Sequence, residues 1–219
     1  MRYTDYLDNK TVAIVGPAPT VREVENNLDI INSCDVIVRL NRSLPIHENL
    51  ASFIGNRTNV LYNCMDEDPE SGGYLHIPYL AQEIDWLIGA YPLKAPFAAN
   101  ILKFKNRNNG RINFDVFDLQ YYSHLEECMG TRPNTGILAI LDLLSKNIKS
   151  LYITGFTFFK GGYAREYRNY NEEQVLKRMR DHGNHSQEPQ FRYVKHILTS
   201  DDRVKTDEFL HKILQREKL

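Results

Sequence analysis

Glycine-rich nucleotide loops are what this chain most clearly lacks. No GxGxxG follows any strand signal: behind Gly16 stand Ala18 and Val21 where the later glycines would fall, and Asp35 precedes the second strand instead of ending it. A dinucleotide site of the usual kind is therefore disfavoured. GxxxxGK[ST] is absent, which argues against a P-loop NTPase, and HExxH, an EF-hand loop and a GxSxG elbow are missing as well. Cysteine is scarce. Cys34, Cys64 and Cys128 lie far apart with no CxxC, so neither a zinc site nor a disulfide framework is indicated, and free thiols fit a reducing compartment. Apolar runs fall well short of the ~20 residues of a membrane span. The opening MRYTDYLDNK is too polar for a signal peptide, so a cytoplasmic protein with no integral membrane segment is expected. A formal net charge of -1 leaves no global field to draw the chain to nucleic acid.

What is present is an alternation of strand and helix signals over 219 residues, enough for one sizeable domain at 1–219. The organising stretch is Thr11–Thr20, TVAIVGPAPT. Val12, Ile14 and Val15 make a short apolar run suited to a strand covered on both faces. Gly16 permits a sharp exit and close backbone approach by a ligand, and Thr20 is placed to cap a helix over Val21–Leu28. Further strands are predicted at 35–41, 59–64, 85–90 and 151–155, with 112–119 a strand or an extended connection. Helices are predicted at 96–105, 136–146, 172–180, 189–198 and 207–217, and a loop at 158–170. The strongest helix carries Ile137, Ile140, Leu141 and Leu144 on one stripe, with Asn134 or Thr135 as its cap. The fold class that follows is α/β: a Rossmann-like, mostly parallel central sheet with helices on both faces. Such sheets bind ligands at the carboxyl ends of their strands, where Gly16, Asn41, Asn63 and Gly155 fall.

Several fragments occur in a telling order: Val12–Gly16, Val38-Arg-Leu-Asn41, Gly55-Asn-Arg-Thr-Asn-Val60, Pro133-Asn-Thr-Gly136, Tyr152-Ile-Thr-Gly155-Phe156 and His185-Ser-Gln-Glu188. Over roughly residues 10–195 this order resembles the family 29 glycosyltransferases, the sialyltransferases, in a short bacterial or viral form. The resemblance implies the GT-A-like sialyltransferase variant of the Rossmann-like fold. It implies a CMP-sugar donor carrying sialic acid or a related acid such as Kdo, a glycan acceptor, and no cofactor or metal. It also implies roles. Gly16 lets the backbone approach the CMP moiety, Asn41 hydrogen-bonds the nucleotide, and Asn63 joins them at the donor. Asn134, Thr135 and Gly136 meet the ribose and phosphate, while Gly155 and Phe156 border the cytosine pocket. His185 is the general base, with His182 competing for the role, and Tyr163, Arg165 or His182 is left to hold the phosphate.

The residue chemistry agrees with these roles. The N–H groups and dipole of a helix opening at Gly136 favour an anion. A histidine, with an unperturbed pKa of about 6.5, can take a proton from an acceptor hydroxyl near neutral pH. A single leaving phosphate needs no obligatory divalent cation. The chain also departs from the family's pattern: Pro17 and Ala18 stand where Asn and a small polar residue are usual, Thr11 and Asn147 stand near the positions of the family's cysteine pair, and the loop after Gly155-Phe156 offers Tyr163, Arg165 and Tyr167 in place of a histidine. Two other readings remain open at this level. Gly16-Pro17-Ala18-Pro19 echoes the turn of pterin pyrophosphokinases, which need magnesium and ATP. A nucleotide-sugar sensor or inactive scaffold would keep the fold without the transfer.

Overall fold

The computed structural model describes residues 1–182 and 185–218, without the side chain of His182. Seven strands form one sheet in the order β5-β4-β3-β2-β1-β6-β7. They are β1 (Thr11–Val15), β2 (Val36–Leu40), β3 (Val60–Asn63), β4 (Trp86–Gly89), β5 (Asn113–Val116), β6 (Ser150–Thr154) and β7 (Val204–Thr206). Every pairing is parallel. The chain runs outward from β1 to β5, then returns to lay β6 on the other side of β1. The carboxyl ends of β1 and β6 therefore flank the point where strand order reverses, the usual place for a ligand crevice.

Helices cover both faces, and the period-2 alternation of the strands decides which side chains meet which helices. Val12, Ile14, Val38, Val60 and Ile88 pack against α1 (Tyr3–Leu7), α6 (Leu119–Met129), α7 (Thr135–Leu144), α9 (Gln187–Ser200) and α10 (Glu208–Leu214). On the other face, Ala13, Val15 and Ile37 meet α2 (Asn27–Ser33) and α3 (Glu48–Ile54). Leu61 and Leu87 meet α4 (Ile77–Glu83) and α5 (Ala98–Asn108). The remaining helix, α8 (Glu172–His182), is strongly charged and follows the loop after β6. All ten residues of α7 are buried, so this helix is a core element with its N-terminus aimed at the crevice side of the sheet. Each Val, Ile or Leu withdrawn from water here contributes about 1.5–3 kcal/mol.

One predicted helix and its cap differ from what forms. The helix expected over Val21–Leu28 is a 3-10 turn at Pro19–Arg22, followed by α2 from Asn27, because Asn26 takes a left-handed conformation between them. Thr20 lies inside that turn with its hydroxyl buried and unpartnered, so it does not cap a helix. The helices α1, α3, α4 and α6 and the strand β7 are additions to the predicted set.

Two of the sequence fragments turn out to be a single structural device. Arg39 of β2 is buried, 1% exposed. Its guanidinium donates to Thr58 Oγ1 at 3.0 Å and to the carbonyls of Ile54 at 2.6 Å, Gly55 at 3.0 Å and Arg57 at 3.3 Å. It thus pins the Gly55–Thr58 turn that leads into β3. Burial lowers its pKa to about 10. Arg57 in turn donates to the carbonyls of Asn32 and Cys34 at the end of α2. Arg39→Ala strands four acceptors and is expected to cost about 3 kcal/mol or more. Urea unfolding checks this, and a loss below about 1 kcal/mol contradicts the assignment.

Candidate functional site

The carboxyl ends of β1 and β6 meet main chain to main chain. A Cβ on Gly16 would sit 2.3 Å from the Gly155 carbonyl oxygen, and one on Gly155 would sit 2.5 Å from that of Gly16. Gly155 has φ +71°, which favours glycine. Its N–H donates to Asp207 Oδ2 at 2.9 Å, and Asp207 Oδ1 caps α10 through Leu210 N. The turn sends Phe156 back across the sheet. Its ring lies where side chains on Gly16 and Gly136 would clash, at 2.8 and 2.9 Å. Three glycines thus make room for one aromatic ring beside the N-terminus of α7.

That N-terminus opens on a cavity of about 580 Å³. Asn134 caps α7 by accepting from Ile137 N at 3.0 Å. Its own N–H and Nδ2 both donate to Gln190 Oε1 at 2.9 Å, and Gln190 Nε2 donates to the Ser186 carbonyl. Gln190 is 1% exposed and ties the start of α9 to the cap of α7. Thr135 and Gly136, whose N–H groups have no acceptor within the helix, line the cavity. So do Asn41, Asn134, Gly155, Phe156, Tyr163 and His185.

His185 Nδ1 lies 2.7 Å from the carbonyl oxygen of Arg132. A carbonyl can only accept, so Nδ1 carries the proton and Nε2 keeps its lone pair. Burial, joined by the nearby Arg132 charge and opposed by that hydrogen bond, lowers the pKa to about 4. The imidazole is therefore neutral at physiological pH. Arg132 also enters the cavity wall, with its guanidinium 5.6 Å from the Tyr91 ring centroid and 5.7 Å from that of Phe97, and its Nε is buried without a partner.

The other candidate residues are placed as follows. Asn41, left-handed at φ 49°, accepts from Cys64 N at 2.9 Å and faces the cavity. Asn63 does not: it is fully buried, donates to the Gly72 carbonyl at 2.8 Å and accepts from Met65 N at 2.7 Å, so its amide is consumed in shaping the 64–73 loop. Gly16 acts through its contact with Gly155 and borders a separate void of about 40 Å³. Arg165 is exposed and outside the cavity lining, whereas Tyr163 lines the cavity. The side chain of His182 lies outside the described residues. Glu188 pairs with Arg192 along α9.

Sequence reasoning missed Arg132, Arg168, Arg178, Tyr91 and Phe97 in the wall. The only local signal for Arg132 is its place one residue ahead of Pro133-Asn-Thr-Gly136. Against the expectation of a chain with no Asp-x-Asp step, one stands at Asp66-Glu67-Asp68, a spacing that can present two carboxylates to a cation. Here Glu67 pairs with Arg107 and Asp68 accepts from Glu70 N, so of these three Asp66 is the one in the cavity wall. Among the described residues, no group of three or more His, Cys, Asp or Glu is arranged to hold a metal ion. Nor is any described helix long and apolar enough to cross a membrane.

No family model matches the sequence, and no curated protein matches it. Solved structures do share the fold. A mammalian sialyltransferase in complex with Gal-beta-1-3GalNAc-ortho-nitrophenol aligns with a TM-score of 0.58 at 17% identity, over 93% of this chain and 71% of that one. The sialyltransferase CstII from Campylobacter jejuni, in complex with cytidine-5'-monophosphate, aligns at 0.61 with 14% identity, over 91% of this chain and 80% of that one. CstII in complex with CMP-3FNeuAc gives 0.56 at 14% identity, over 90% and 81%. The chain has the GT-A-like sialyltransferase fold, with an all-parallel sheet.

The lowered pKa has a testable consequence. His185 binds a proton less readily in the folded chain than in the unfolded one, where the value is about 6.5. Its contribution to stability is therefore complete above pH 6.5 and is lost as pH falls toward 4. Histidine NMR is expected to give a midpoint near 4 with the proton on Nδ1, and His185→Gln should flatten that part of the stability profile. A midpoint near 6.5 contradicts the buried placement.

Proposed function

We propose that the chain is an inverting glycosyltransferase that moves sialic acid, or a related acidic sugar such as Kdo, from a CMP-sugar to a glycan hydroxyl without a divalent metal. The observation that carries this reading is the imidazole of His185. Its Nδ1 is fixed on the Arg132 carbonyl, its Nε2 is unprotonated, and it shares a cavity wall with the N-terminus of α7. The fold supports it, since its structural neighbours include sialyltransferases in complex with CMP and with a CMP-sugar analogue.

On this reading the donor phosphate sits at the N–H groups of Thr135 and Gly136, where the helix dipole and unpaired donors favour negative charge. Arg132, whose buried Nε lacks an acceptor, supplies the counter-charge as the sugar–phosphate bond breaks. Tyr163 also lines the cavity and offers a hydroxyl, and burial holds its pKa above the usual range, so it remains a donor. Asn41 presents an amide to the nucleotide, and Phe156 with Gly155 borders the base. Asn134 acts through its cap rather than through a free side chain, because both ends of its amide are already bonded. The sugar develops oxocarbenium character, the acceptor oxygen attacks the face opposite the phosphate, and His185 Nε2 takes its proton, so the anomeric centre inverts.

Calorimetry is expected to show CMP and CDP binding in EDTA, in preference to ADP and ATP. Binding of ATP that needs magnesium would favour the pyrophosphokinase-like alternative. His185→Gln is expected to leave CMP affinity intact while slowing donor hydrolysis by about 10²–10⁴-fold, an assay that needs no knowledge of the acceptor. A variant that hydrolyses at the original rate would remove His185 as the base.

A further inference from the structure

Two arginines in the cavity wall, Arg132 and Arg168, have a buried Nε with no hydrogen-bond partner. Arg132 stands two residues ahead of Asn134 and belongs to the mouth of α7. Arg168 comes from the loop after β6, and its side chain is 10% exposed. Its guanidinium lies 5.5 Å from the ring centroid of Tyr163 and 5.6 Å from that of Tyr167. Tyr167 in turn reaches the Asn41 amide with its hydroxyl. Arg168 is therefore tied through two aromatic rings to Tyr163 and Asn41, both of which the proposed reaction sets against the donor.

The Arg168 fork is fixed in place but not used up. Its Nη2 donates to the carbonyl of Ser71 at 3.0 Å, and Glu70 Oε2 stands 3.9 Å from its Nε, beyond hydrogen-bonding distance. Arg178 of α8 donates to the Glu70 carbonyl at 3.0 Å and Arg42 to that of Pro69 at 2.5 Å, so three consecutive carbonyls each hold one guanidinium. The Glu70 carboxylate is shared among the three, and its close partner is the Tyr170 hydroxyl at 2.8 Å. With Arg132, four guanidiniums in and just behind the wall face the carboxylates of Asp66 and Glu70. The surplus of two positive charges equals the charge of one phosphodiester and one carboxylate. The α7 N-terminus and Arg132 answer the phosphate, whereas a planar fork laid against aromatic rings, with an N–H to spare, suits a carboxylate.

We propose that Arg168 is a second anion seat inside the donor site, that it takes the carboxylate on the donor sugar, and that it thereby selects an acidic sugar over a neutral one. The assignment rests on the proposed transferase reading and names the residue behind its preference for an acid. Arg178 and Arg42 share the Glu70 carboxylate with Arg168, so no single internal charge neutralises the seat. The carbonyl of Ser71 and the rings of Tyr163 and Tyr167 hold the fork before the donor arrives, so binding the carboxylate costs little ordering of the side chain.

The probes are CMP, a hydrolysis-resistant CMP-sialic acid analogue and the carboxamide of that analogue, which keeps the shape and removes the charge. Each is titrated into the full chain by calorimetry. The acid is expected to bind about tenfold or more tightly than the carboxamide. Arg168→Gln is expected to abolish that ratio while leaving CMP affinity within about twofold, and Arg168→Lys, which keeps the charge but loses the fork, to retain part of it. Arg178→Gln reads the same seat should Arg168→Gln fail to fold. It is expected to narrow the ratio, because the Glu70 charge then falls more heavily on Arg168. Equal binding of acid and carboxamide by the unaltered chain overturns the proposal. So does an Arg168→Gln variant that keeps the ratio, or an Arg178→Gln variant in which it is unchanged. Loss of CMP affinity in Arg168→Gln equal to the loss for the acid also overturns it, since Arg168 would then hold the phosphate. Absence of CMP binding to the unaltered chain is a separate result, which removes the transferase reading itself.

Discussion

The contact between the backbones of Gly16 and Gly155 is the constraint on which the rest of this structure depends. A parallel sheet opens a crevice wherever strand order reverses, but the crevice is useful only if the turns leaving the two central strands stay out of it. Here they do so by pressing against each other, closer than any side chain would permit. Gly155 is locked from behind by the Asp207 carboxylate, which also caps α10, so the turn after β6 is fixed to the far edge of the core. The compactness of the pair leaves room for Phe156 to lie against Gly136 at the first turn of α7. One close approach therefore sets the ends of two strands, the position of one ring and the mouth of the most buried helix.

The second level of organisation is a chain of hydrogen bonds around that mouth. Gln190 accepts from both the main chain and the side chain of Asn134, and its own amide reaches back to Ser186. The start of α9 is thereby pinned to the cap of α7, and His185 is carried with it. The Arg132 carbonyl then selects the tautomer of the imidazole. Because Arg132 precedes the cap by two residues, the same short stretch orients the proposed base and places a guanidinium in the cavity wall. In the proposed reaction, proton acceptance and anion stabilisation are thus set by neighbouring residues on one rigid support, which is what preorganised catalysis asks of a scaffold.

The parts of this fold legible in the sequence are those whose signal is local and apolar. The apolar runs at 12–15, 36–38 and 151–153 read as buried strands because a parallel strand covered on both faces needs no polar alternation. The helix at 135–144 was legible from its stripe and its Asn134 cap. The amphipathic α6 and the three-residue β7 gave weaker patterns and depend on tertiary packing for their form. Thr20 has the right chemistry for a cap but falls inside a 3-10 turn, a matter of backbone geometry that composition does not encode. Around the cavity, the Gly16 and Gly155 turns and the Asn134 cap were legible as a strand-end turn and a helix start, and the structure shows the close approach and the cap. Asn63 looked equivalent to Asn41 at a strand end, yet one amide closes a loop while the other faces the cavity. The places of the arginines were not legible. Arg39 is buried beneath the sheet while Arg132, Arg168 and Arg178 line the cavity, and only the fold separates these cases.

A crystal structure with bound CMP tests the central claim most directly. The account expects the phosphate within hydrogen-bonding distance of the Thr135 and Gly136 N–H groups and the base beside Phe156. His185 Nε2 should face the vacant sugar position, with its Nδ1 still on the Arg132 carbonyl. CMP seated away from the α7 N-terminus, or an imidazole rotated out of the cavity, would contradict it.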